Sequence, residues 1–92
     1  MKIYNVLISS ADENSGHYVD SISFSKYELA VEFIKKEYDL EQENHPYMFD
    51  EDFYECDRII DDNGNLTGFC CYESCNYGMN HYSMELKETK LN

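Results

Sequence analysis

Tyr27, Ala30, Val31, Ile34 and Tyr38 recur at three- and four-residue spacing, the mark of a helix that buries one apolar stripe. Leu29 and Phe33 lie beside the stripe. Ahead of it, Ser25-Lys26-Tyr27-Glu28 has the capping-box pattern: Ser25 is expected to cap a first-turn amide, with Glu28 reaching back to the Ser25 amide. Glu32 and Lys36 form an exposed pair four residues apart. His45-Pro46 ends the helix near residues 40–43, because a residue before proline avoids the helical region.

Around this helix the chain predicts strands at 2–9, 17–24, 53–60, 66–73 and 81–89. These runs are rich in β-formers or alternate, as in Tyr82, Met84 and Leu86 against Ser83, Glu85 and Lys87. The order is ββαβββ, with short links except around the helix. That predicts an α+β fold, a five-stranded antiparallel sheet with one helix packed on one face.

Ninety-two residues predict one domain, 1–92, with a modest core. Apolar residues at 42%, with four glycines and one proline, argue against wholesale disorder. No stretch is long and apolar enough to span a bilayer. The start, Met1 to Ile8, passes into Ser9-Ser10-Ala11-Asp12 without a cleavage site, so it predicts a strand and not a signal peptide. The expected location is the cytoplasm, where Cys56, Cys70, Cys71 and Cys75 stay reduced and the Asn65-Leu66-Thr67 sequon carries no meaning.

Cys70, Cys71, Cys75 and His81 fall within twelve residues. Thiolates and imidazole gathered near a loop are what tetrahedral zinc requires. Asp62-Asn63-Gly64-Asn65 is a strong hairpin signal, since Asn-Gly supplies the positive-φ positions of a two-residue turn. Closing that turn on Asp62 and Asn65 sets Cys56 opposite Cys71, with Cβ atoms about 5 Å apart. The expected site is a structural Zn²⁺ held by Cys56, Cys71, Cys75 and His81, with no open position for catalysis. Cys70 would face the other way as a small core residue, and a one-residue change of register would exchange it with Cys71. His17 is a substitute ligand. The competing reading makes all four cysteines inert buried thiols, and disulfide or redox chemistry is a third.

No glycine pattern builds a phosphate loop. Asp61-Asp62-Asn63-Gly64 lacks the first and last ligands of a calcium loop, because Ile59 and Cys70 stand there. A Cys75–His81 nucleophile pair has no third group to single it out. The chain therefore predicts a binding protein and no enzyme.

Nineteen acids against seven bases give a formal charge of -12. Such a chain repels nucleic acid and anionic membranes and is drawn to basic surfaces. Ten of the acids lie between Asp39 and Asp62, with Arg58 the single base among them and with Tyr38, Tyr47, Phe49, Phe53 and Tyr54 interleaved. Glu41, Glu43, Tyr47, Asp50, Glu51, Asp52, Tyr54 and Glu55 are the expected partner-binding residues, where charge steers the encounter and aromatic rings supply contact area. The competing reading is a solvated helix end and an acidic loop.

With stretches such as Lys35-Lys36-Glu37-Tyr38-Asp39 and Asp50-Glu51-Asp52-Phe53-Tyr54-Glu55, this short, acidic, tyrosine-rich chain resembles the small phage-encoded anti-CRISPR proteins that inhibit type II effectors. The resemblance covers general character and no diagnostic motif. It implies that the chain occupies a basic surface of Cas9 or its guide complex and blocks DNA loading or cleavage. The alternative class is an acidic phage or bacterial regulator of another basic partner, such as a polymerase, nuclease or repressor.

Overall fold

The computed structural model describes residues 2–12, 16–73 and 80–90. β1 (Lys2–Asp12) and β2 (Gly16–Phe24) are followed by α1 (Tyr27–Asn44) and a 3₁₀ turn (Pro46–Phe49). Then come β3 (Tyr54–Ile60), β4 (Leu66–Glu73) and β5 (His81–Lys90). The five strands form one antiparallel sheet in the order β2-β1-β5-β4-β3, with the helix against one face. The expected α+β class and ββαβββ order hold.

Alternation along the strands sets that face. Val6 and Ile8 of β1, Phe69 and Cys71 of β4 and Met84 of β5 are buried with Ala30 and Ile34 of the helix. Tyr4, Ile22, Phe24, Phe33, Tyr38, Met48, Phe49, Leu66, Tyr82 and Leu86 pack around them. Rings carry much of this packing. Tyr38 meets Phe69 edge-on at 5.0 Å and Phe49 at 5.5 Å, while Phe69 stacks on Tyr82 at 5.7 Å. Of the helical stripe, Ala30 and Ile34 are buried, whereas Leu29, at its margin, is exposed.

The helix begins one residue later than the capping box required. Lys26 is the N-cap, in extended conformation and without a side-chain cap bond. β2 keeps Phe24 in register with Tyr4, so the chain must turn through Ser25 and Lys26 before coiling. At the other end the helix runs on to Asn44, His45 closes it by donating its backbone N–H to the Glu41 carbonyl, and Pro46 opens the 3₁₀ turn. Proline is compatible there because its missing N–H is one that a first turn leaves unused.

The β3–β4 connection differs from a two-residue turn. The Asp61 amide donates to the Asn65 carbonyl at 2.9 Å, and the Gly64 amide donates to the Asp61 carbonyl at 3.1 Å. Gly64 has φ +85°, the left-handed position of a three-residue loop. Asp61 Oδ1 organises this loop by accepting from the amides of Asn63 and Asn65, as short carboxylates do in turns. The closing pair is thus shifted by one residue, and an irregularity between Ile59 and Ile60 shifts it back, with Ile60 opposite Leu66 but Ile59 opposite Gly68. Cys56 therefore does lie opposite Cys71, through two offsets that cancel.

Candidate functional site

β3 lies at one edge of the sheet, and its first residues share an end of the sheet with the close of β4 and the start of β5. Tyr54 pairs with Glu73, and Tyr72 with His81. The last helical turn and the 3₁₀ turn approach this end, where Tyr38 touches Phe49 and Phe69 and the Cys56 thiol donates to the Met48 carbonyl at 3.0 Å. Asp39, Glu43, Asp50, Glu51, Asp52 and Glu55 are exposed here. None of these six forms an ion pair among the described residues. Tyr47 and Phe53 stand among them at 57% and 59% exposure, so the acids share their surface with accessible rings. Tyr47 is itself held edge-on between His45 at 5.8 Å and Tyr54 at 6.0 Å.

The ten acids of 39–62 do not form one surface. Glu41 is mostly covered and accepts from His45 Nδ1 at 2.9 Å. Glu55 points to the sheet face away from the helix, where it accepts the Tyr72 hydroxyl, and Asp57 shares that face by alternation. Asp61 and Asp62 lie beyond the far end of β3, about 20 Å from its start at 3.3 Å per residue. Asp61 is occupied there by Tyr27, Asn63 and Asn65. Three of the seven bases also gather toward that far end: Lys2 lies opposite Lys90 and pairs with Glu88 at 3.0 Å, and Lys87 is nearby on β5. The charge is therefore polarised along the sheet, a pattern visible only once β1 and β5 are neighbours.

Of the four expected zinc ligands, Cys56 and Cys71 are brought together. Burial first, then a hydrogen bond to Cys56, pushes the Cys71 thiol up. Burial also raises Cys56, while its bond with Cys71 works the other way. Cys56 is an exposed residue, yet its sulfur turns inward to Met48 and Cys71. His81 does not join them. It is the neighbour of Tyr82, which opposes Cys71, so His81 projects from the opposite face, where its Nε2 lies 3.3 Å from Ser9 Oγ. Cys75 falls outside the described residues. These three described side chains do not share one coordination sphere, and among the described residues no three His, Cys, Asp or Glu groups converge to hold a metal.

Cys70 faces away from Cys71, as expected, but is not part of the core. It is half-exposed on the open face, opposite Asp57 and Ser83, while Cys71 is the fully buried core thiol. Hairpin register fixes which cysteines share a face but not which face the helix covers, and the helix covers the face of Phe69 and Cys71. His17, the substitute ligand, lies on the open face in a row with Ala11 and His81. The sequence reading missed Met48, whose carbonyl receives the Cys56 thiol; a main-chain acceptor leaves no signature in residue type. It also left Phe53 out of the binding set, though its place within Asp50–Glu55 was a usable signal.

No helix among the described residues is long and apolar enough to cross a membrane. No family model, curated protein or solved structure matches the chain.

Proposed function

We propose that the protein works by binding, presenting the acidic end of its sheet to the basic nucleic-acid groove of a partner protein. The observation that carries this reading is the set of five exposed, ion-pair-free acids Asp39, Glu43, Asp50, Glu51 and Asp52, with Tyr47 and Phe53 among them. Clustered carboxylates present negative charge as a duplex does, which carries one charge per roughly 1.7 Å. A groove lined by lysine and arginine to hold nucleic acid therefore also attracts such a surface. Desolvated rings then slow departure, since charge acts mainly on encounter and specificity.

The resemblance to phage-encoded inhibitors makes a Cas9-type effector the partner to test first, with exclusion of target DNA as the mechanism. No catalytic step is needed for that role. Purified protein is mixed with Cas9 and guide RNA, and complex formation, target-DNA binding and cleavage are measured across a salt series. Stoichiometric binding that displaces DNA and weakens as salt rises supports the reading. Binding elsewhere, or to another basic nucleic-acid-handling protein only, favours the regulator of a different partner. Salt-independent capture removes the electrostatic basis of both.

A further inference from the structure

Cys56 and Cys71 are directly opposed across β3 and β4. Opposed residues of an antiparallel pair have Cα atoms about 4.5 or 5.5 Å apart, and both values lie within the roughly 4.4–6.8 Å range that a disulfide spans. The two side chains already face one another. The Cys56 thiol donates to the Met48 carbonyl, so its sulfur lies on the covered face of the hairpin, which Cys71 shares. Cys70 is turned to the other face, opposite Asp57 and Ser83, so alternation keeps it from competing for either sulfur.

We propose that Cys56 and Cys71 are a dithiol–disulfide site, in which a small-molecule disulfide such as oxidised glutathione closes a cross-strand bond that fixes the β3–β4 hairpin. Exposure gives each cysteine its part. Cys56 is exposed and Cys71 fully buried, so reagent reaches Cys56 first. Cys56 sulfur attacks one sulfur of the reagent, forming a mixed disulfide and releasing one thiol. Cys71 sulfur then attacks Cys56 sulfur and releases the second thiol. The two cysteine protons end on the two released thiols, and two electrons pass from the protein to the reagent. A dithiol reductant reverses the exchange.

The bond would act where the fold has least to hold its register. β3 has a neighbour on one side only, and its register depends on the turn offset at Asp61 and the opposite offset at Ile59–Ile60. Loss of either moves every β3 side chain to the other face, and with them Glu55 and Asp57. A covalent Cys56–Cys71 bond excludes that slip and restrains the unfolded chain over residues 56–71.

The full-length protein is held in oxidised or reduced glutathione, and its mass, its cross-linked peptides and its melting temperature are measured. The expected result is loss of two hydrogens per chain, a peptide joining Cys56 to Cys71, and a melting temperature roughly 10 °C above that of the reduced form. The Cys70→Ser/Cys75→Ser double variant should keep all three signals. Cys56→Ser should lose the linked peptide and the oxidant-dependent rise while melting near the reduced protein, because residue 56 is exposed. A bridge mapped to Cys70 or Cys75, a lasting glutathione adduct at Cys56 without closure, or closure only after denaturant unfolds the chain overturns the proposal.

Discussion

The Tyr27 hydroxyl donates to the Asp61 carboxylate, joining the first turn of the helix to the β3–β4 loop. Tyr27 also meets Tyr4 edge-on at 5.7 Å, so three elements converge where the helix starts. The same carboxylate accepts from the amides of Asn63 and Asn65, and one side chain therefore shapes the loop and anchors it to the helix.

This contact makes a pH prediction with two limbs. The Tyr27 bond, ahead of its loop amides, holds the Asp61 carboxyl below its ordinary range. That stabilisation is present above the ordinary Asp value of about 3.9 and is lost as pH falls through the lower folded value. Tyr27 is pushed up to about 12, chiefly by the same bond and then by burial. Its contribution is complete below pH about 10 and lost as pH rises through about 12. Tyr27→Phe should weaken the alkaline limb, leaving the part due to Tyr72 and Tyr82, which are also pushed up to about 12 by the Glu55 bond and by burial respectively, and should shift the acid limb upward. Thermal melts from pH 2 to 12 check this, and unchanged curves on both limbs reject it.

Phe69 is 1% exposed and touches the rings of Tyr38 and Tyr82. Phe69→Ala opens a cavity between sheet and helix and should cost about 3–5 kcal/mol, read by urea unfolding with an unchanged slope. A cost below about 1 kcal/mol would mean that this ring is not the centre of the core.

Gly68 is required by space and not by backbone angle. A Cβ there would stand 2.7 Å from the Met84 carbonyl oxygen and 3.1 Å from Ile59 Cδ1. Because the nearest atom is main chain of β5, Gly68→Ala must spread β4 from β5 and should cost about 1–3 kcal/mol. Gly64→Ala meets no atom but strains a φ of +85°, at about 1–3 kcal/mol. Amide hydrogen exchange separates the two: the first should loosen β4–β5, the second only the turn.

Charge polarity along the sheet gives the binding proposal an internal control. Reversing Asp50, Glu51 and Asp52 to lysine should slow association with a basic partner on the order of tenfold or more. Asp62→Lys, beyond the other end of β3, should leave it nearly unchanged. Stopped-flow association at two salt concentrations reads both. An equal effect per charge reversed at the two ends would mean that net charge alone, and no particular surface, drives the encounter.

Local chemistry made the element order legible. Residues 66–73 form β4 as the hairpin return predicts, and the helix from Tyr27 follows its apolar stripe, because periodicity and turn chemistry act over a few residues. The pairing of Cys56 with Cys71 was also within reach, although it arises from an Asp61-centred loop and a compensating irregularity. Nothing local marks that Lys2 will lie beside Lys90 and bring β1 against β5. Nor does register say which face of β4 the helix covers, the choice that buries Cys71 and leaves Cys70 and His81 on the open face. Those are contacts between segments far apart in the chain, decided by which packing buries Phe69, Met84, Val6 and Ile34 together.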